Sequence, residues 1–181
     1  MRLGTKSWLW RYLAALVTGL IPVAHGQDFY LESAGARFGF YPGGASKHFY
    51  QAEAFANLAM PWSWDLSSEF RLESRFDTSL GWLGEQGDNA AIASAGPTLC
   101  VRPKTFPVSL ECGVSATVLT RSDFVSKDFG IPFQFTSHAG INVDVSSHFR
   151  LSYRFQHMSN AGLSGFNPGL NMHMLGLSYV F

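Results

Sequence analysis

The chain has 181 residues, of which 46% are hydrophobic, 15% aromatic and only 14% charged, with a formal net charge of +0. Soluble domains average roughly 25% charged residues, and a disordered chain would not carry 16 Phe, 5 Trp and 6 Tyr. Two Cys and eight Pro exclude disulfide-scaffold and collagen-like classes, and the charge balance argues against a nucleic-acid partner.

Residues 1–26 read as a secretory signal peptide. Arg2, Lys6 and Arg11 form a basic n-region, 12–23 an apolar h-region, and Ala24-His25-Gly26 a small-residue cleavage site before Gln27. The apolar run is shorter than the roughly 20 residues a spanning helix needs. The expected mature chain is a single domain, 27–181, with an acidic excess once those three basic residues are removed.

From residue 28 onward the pattern is period two. Candidate strands cover 28–41, 48–60, 64–82, 90–101, 108–120, 132–145, 149–159 and 171–181. In 64–82 the even positions are uncharged and mostly apolar (Trp64, Leu66, Ser68, Phe70, Leu72, Ser74, Phe76, Thr78, Leu80, Trp82), while the odd ones include Asp65, Glu69, Arg71, Glu73, Arg75 and Asp77. A helix would scatter these charges; a strand sorts them onto one face. In 132–145, Phe133, Phe135, Ala139, Ile141 and Val143 oppose Gln134, Thr136, His138, Asn142 and Asp144. In 149–159, Leu151, Tyr153 and Phe155 oppose Arg150, Arg154 and Gln156, and in 171–181 Leu175, Leu177, Tyr179 and Phe181 share a face.

A soluble sandwich would bury the apolar face; a membrane barrel turns it to lipid and fills the lumen with the polar one. The export signal, the even strand count and the terminal Leu177-Ser178-Tyr179-Val180-Phe181 favour the barrel. That last segment is similar to the C-terminal signature of bacterial outer-membrane barrels and implies the barrel-assembly machinery as a partner. The expectation is therefore all-β: an eight-stranded antiparallel transmembrane β-barrel of the bacterial outer membrane. Eight strands leave a lumen just wide enough for side chains. Glu53, Glu69, Arg71, Glu73, Arg75, Asp77, Glu111, Asp144, Arg150 and Arg154 should fill it as an ion-pair network rather than line a pore. Short connections at Pro61-Trp62-Ser63 and Ser146-Ser147, and a moderate one at 102–107, are assigned to the periplasm with both termini. The longer 84–89, 121–130 and 160–169 are assigned to the outside.

Cys100 is in step with Ser94 and Thr98, an inward set, and Cys112 with Leu110 and Val114, an outward set. Opposite faces cannot be bridged without a bulge.

The outward face of the seventh strand ends Phe155, His157, Ser159. A His and a Ser at i and i+2 bring a ring nitrogen near a hydroxyl, the minimal activated nucleophile, which a third group should orient. Asn171 and His173 open the outward face of the eighth strand, across the hairpin. The plainer reading is that His157 and Ser159 mark the barrel's polar rim.

At these residues the chain resembles the lipid A 3-O-deacylase (PagL) family. His157-Met158-Ser159-Asn160-Ala161-Gly162, then Asn167-Pro168-Gly169-Leu170-Asn171, follow its pattern, and Phe133-Gln134-Phe135 and Leu110-Glu111-Cys112-Gly113 are also similar. The resemblance implies a carboxylic-ester hydrolase that removes the 3-position acyl chain of lipid A, with no cofactor and no metal. Ser159 would be the nucleophile and His157 the base. Ala161, Gly162 and Asn167 would support the oxyanion, and Asn160 the loop. One position departs: Asn171 stands where the pattern has an acidic residue. An amide can hold the imidazole by accepting its N–H but lacks the charge that stabilises an imidazolium. The partners implied are lipopolysaccharide and outer-membrane lipids. Two other readings remain open: a non-enzymatic structural or adhesive barrel with a weakened site, and a hydrolase of another ester such as a phospholipid.

Overall fold

The computed structural model describes residues 29–43 and 48–181; the expected signal peptide lies outside the described residues. Among the described residues ten strands form: β1 (Tyr30–Phe40), β2 (Phe49–Asp65), β3 (Phe70–Glu85), β4 (Asp88–Pro103), β5 (Val108–Leu119), β6 (Asp123–Phe124), β7 (Lys127–Asp128), β8 (Phe133–Asp144), β9 (Phe149–Ser159) and β10 (Leu170–Val180). Eight of them close a barrel in the order β1-β10-β9-β8-β5-β4-β3-β2, while β6 and β7 make a separate two-stranded hairpin. Closure pairs β1 with β10 from Ser33↔Val180 to Phe40↔His173. Every neighbour is antiparallel.

The alternation decides which way each face looks. In β8, Phe133 and Phe135 are exposed while Gln134, Thr136 and His138 are buried, and β9 repeats this with Leu151, Tyr153 and Phe155 against Arg150, Arg154 and Gln156. The outer wall carries the large apolar side chains and the interior the polar ones, the arrangement expected where the surrounding solvent is lipid.

Two expected boundaries move. The alternation in 64–82 is not one strand: it breaks at residues 66–69, where Leu66 and Ser67 N–H donate to Phe70 O, and Ser67 Oγ accepts from the N–H of Glu69 and Phe70. Pro61-Trp62-Ser63 is correspondingly no turn but part of β2. There β2 advances from Ala59 to Ser63 while β3 moves only from Arg75 to Glu73. A bulge tolerates proline because the missing N–H removes no ladder bond. At the other end, 84–89 is a tight turn rather than a long loop. Gln86 and Gly87 have φ of 48° and 99°, the pair of positive values that a two-residue hairpin matched to strand twist requires.

The interior is layered. Toward the end where β1 begins and β10 ends, Arg75, Arg102 and Arg150 converge on Glu32, with Arg102 and Arg150 also paired to Asp144. In the middle, Arg37 meets Glu53 at 2.9 Å, and Arg154 bridges Asp77 (2.6 Å) and Glu111 (2.7 Å). Glu69 and Arg71 do not join: Glu69 lies exposed in the 66–69 turn, and Arg71 pairs with Asp65 at the rim. Glu32, Arg37 and Arg102 take part although the alternation did not single them out. Cys100 is buried and Cys112 exposed, both as free thiols, as their opposite phases require.

Toward the other mouth the interior turns apolar. Phe49, Leu83, Ile92, Leu119, Met158, Leu170, Met172 and Met174 pack with Phe124 and Phe129 of the 120–132 loop. That loop folds into the barrel rather than away from it, with Phe124 and Phe129 in edge contact with each other and with Phe49.

Candidate active site

His157 and Ser159 lie on the outward face of β9 at the mouth where β9 ends and β10 begins. Register places Asn171 opposite His157 on β10, and Ser137 opposite it on β8; Phe135 faces Ser159. Cross-strand partners on one face are within side-chain reach, and His157 Nδ1 lies 2.7 Å from Asn171 Oδ1. A carbonyl oxygen only accepts, so the proton of this bond sits on Nδ1, and Nε2 keeps its lone pair. Among the described residues no hydrogen bond joins Ser159 to His157.

His173 does not share the third position. Its Nδ1 lies 2.6 Å from the Tyr153 hydroxyl, and its ring stacks on Phe40 (5.7 Å between centroids) and meets Phe155 edge-on. It forms an aromatic floor one rung below the His157–Asn171 pair.

The loop after Ser159 is built on Asn160, whose side chain is fully buried. Its Nδ2 reaches Phe129 O, Ser164 Oγ and Phe166 O, and its Oδ1 accepts from Gly162 N–H at 2.7 Å. Asn167 Oδ1 accepts from Asn160 N–H at 3.1 Å. Ala161 and Gly162 follow with φ of 53° and 82°, conformations that an alanine rarely adopts unless its surroundings hold it. Asn160 is thus the structural centre of the loop. Gly162 N–H is committed to it, while the N–H groups of Ala161, Ser164, Phe166 and Asn167 and the Asn167 Nδ2 have no partner among the described residues; of these, Ala161 N–H stands next but one to Ser159 in the chain.

Two contributors carry no motif of their own. Gly169 backs the imidazole: a Cβ there would lie 2.4 Å from His157 Cε1 and 3.0 Å from Nε2. Lys127, on β7, donates to the carbonyls of Pro168 and Gly169. Gly169 sits inside the resemblance segment, but only its contact with the ring shows why a side chain is excluded.

The family model for lipid A 3-O-deacylase (PagL) matches residues 50–180. The chain belongs to the lipid A 3-O-deacylase family. It is 38% identical over 72 residues to the lipid A deacylase PagL of Bordetella bronchiseptica, a stretch spanning 40% of each chain. The fold is similar to the crystal structure of the outer membrane enzyme PagL, with a TM-score of 0.70 and 19% identity over 82% of this chain and 99% of that one. As a member of this family the protein is an outer-membrane barrel. The His157–Asn171 pair therefore lies on the lipid-facing wall. The deacylase-family chain carries an amide, Asn171, at the position where the sequence pattern has an acid.

Proposed function

We propose that this protein is an ester hydrolase of the outer leaflet that removes the 3-O-linked acyl chain from lipid A, with Ser159 as nucleophile and His157 as general base. Family membership supports the substrate class. The observation that carries the site assignment is the 2.7 Å bond from His157 to Asn171, two residues along the same outward face from Ser159.

Asn171 Oδ1 fixes the Nδ1–H tautomer, so Nε2 is the basic nitrogen. Ser159 rotates to present its hydroxyl to Nε2; such contacts often tighten only when substrate binds. As Oγ bonds to the ester carbonyl carbon, its proton passes to Nε2. The carbonyl oxygen becomes an oxyanion, and the groups assigned to stabilise it are Ala161 N–H and Asn167 Nδ2, two of the unpartnered donors of the loop after Ser159. Fixed donors aimed at developing charge are worth several kcal/mol in such reactions. The carbon–oxygen bond to the sugar breaks, and the sugar oxygen takes the proton from Nε2. Water then attacks the acyl-serine, giving its proton to Nε2, and Ser159 leaves with that proton as the fatty acid departs.

The location suits a substrate that never enters solution. Among the described residues the lumen is occupied by buried polar side chains and an apolar cluster, and a lipid ester at the headgroup boundary meets the site from the side. Delivery to that place would use the 1–26 signal peptide and the barrel-assembly machinery.

Mass spectrometry of lipid A from cells expressing the protein or its Ser159→Ala variant tests the proposal. Loss of one hydroxyacyl chain with the wild type alone is the expected result. Unchanged lipid A in both overturns it.

A further inference from the structure

We propose that Lys127 is a positioning residue for His157, acting through the backbone of Gly169. The inference rests on His157 being the base, and it names the device that holds that base.

The His157 ring is fixed at one atom, Nδ1, by a neutral acceptor. A hydrogen bond to a neutral amide is roughly half as strong as one to a carboxylate, so in this chain orientation of the ring leans on packing. That packing is Gly169. Its φ lies outside the left-handed region, so glycine is required here for lack of space rather than for conformation: an added Cβ would approach Cε1, Nε2 and Nδ1 of His157 to 2.4, 3.0 and 3.3 Å. The backbone at 169 is a wall against which the ring rests, and a displaced wall would free it.

Lys127 holds that wall. Its ammonium donates to Gly169 O at 2.6 Å and to Pro168 O at 3.2 Å. Two successive carbonyls on one cation fix both the position and the tilt of the peptide between them. The lysine itself is presented by the β6–β7 hairpin, which is anchored on the opposite side of the mouth. Ser126 N–H donates to Glu85 Oε2 at 2.9 Å, and its hydroxyl bonds Glu85 Oε1. Phe124 and Phe129, flanking the lysine, are buried against Phe49 of β2. Glu85 belongs to β3, which stands four strands from β9 in the eight-strand ring. A strut thus crosses the mouth from β3, through β6–β7 and Lys127, to Gly169 and the imidazole.

The test uses the full-length protein in detergent micelles. Wild type, Lys127→Met, Lys127→Arg, Gly169→Ala and the Lys127→Met/Gly169→Ala double variant are compared at equal amounts of heat-modifiable, folded barrel. A misplaced catalytic group costs on the order of ten- to a hundredfold, so Lys127→Met should lower kcat by that range on lipid A with KM within about twofold. Lys127→Arg should recover most of the loss. Gly169→Ala should lose as much, and the double variant no more than Gly169→Ala alone, because both act on one contact. Nitrogen NMR of the His157 ring adds a readout free of turnover: one sharp tautomer in the wild type, exchange broadening in Lys127→Met. Lys127→Gln replaces Lys127→Met if the latter does not fold, with the same expectation. A wild-type rate in Lys127→Met, or a double variant that falls by the product of the two single losses, overturns the inference. If the wild type releases no acyl chain, the hydrolase reading fails on its own. The ring spectrum then decides alone, an unchanged His157 signal in Lys127→Met overturning the strut.

Discussion

Asn171 offers the sharpest measurement on the site. Its oxygen accepts the Nδ1 proton of His157 at 2.7 Å. In a serine protease, replacing the triad Asp by Asn costs about 10⁴ in rate, a loss attributed to the wrong tautomer. Here the oxygen faces the ring, so the useful tautomer is already held. A carboxylate would add only the difference between a neutral and a charge-assisted hydrogen bond. A neutral bond contributes about 1 kcal/mol net and an ionised acceptor roughly doubles that. Asn171→Asp, which preserves side-chain length, should therefore speed the acylation step by about fivefold. Partial desolvation by lipid penalises the new charge and trims that gain. Asn171→Glu is longer by one methylene than the gap accommodates and should match the wild type or gain less. Asn171→Ala should be about five- to tenfold slower, since the ring keeps its basicity and the Gly169 wall but loses its tether. Initial deacylation rates of the four proteins, at several pH values and equal folded amounts, give the comparison. Asn171→Ala at the wild-type rate at every pH would remove Asn171 from the machinery. A thousandfold gain in Asn171→Asp would show that the amide holds the wrong tautomer.

Ser159→Ala and His157→Ala should each cost several orders of magnitude in rate while the barrel keeps its heat-modifiable mobility on electrophoresis, because both side chains face outward and support no interior contact. Arg154→Met should lower stability by about 3–5 kcal/mol, read as a shift in the urea midpoint in micelles, because it leaves Asp77 and Glu111 as buried carboxylates without their shared cation. Cys100 and Cys112 should run identically with and without reductant, and a membrane-permeable maleimide should label the exposed Cys112 well ahead of the buried Cys100.

The barrel was legible because period two survives wherever one face is lipid and the other a charged lumen, as in β8 and β9. The signal fails where both faces have the same polarity. In β10, Met172 and Met174 point inward while Leu175 and Leu177 point outward, so alternation could not reveal the apolar plug at the outer mouth. It misled in 64–69, where the charged and apolar residues keep their phase through a turn that Ser67 closes with its own hydroxyl. The His157–Asn171 pair was readable because both residues stand on the outward faces of consecutive strands at the same end: the 160–169 loop returns Asn171 opposite His157. Lys127 and Gly169 were not readable as a unit, since nothing local joins a lysine on one loop to a carbonyl 42 positions later.

The apolar plug and the outward site follow from one constraint. The interior of this eight-stranded barrel is taken up by its own side chains, ion pairs at one end and an apolar cluster at the other, so the chemistry sits on the wall, where strands fix side-chain positions but no neighbouring layer supports them. His157 has lipid on its open side and needs its backing from the loop above. That loop gains rigidity only if something holds it in turn, and the nearest ordered matter is the interior of the mouth. Phe124 and Phe129 enter that interior and carry Lys127 with them. A charged lumen at this level could not have accepted two phenyl rings without burying unpaired ions. The change from ion pairs to apolar packing along the barrel axis is therefore what lets an inside-anchored loop brace an outside site.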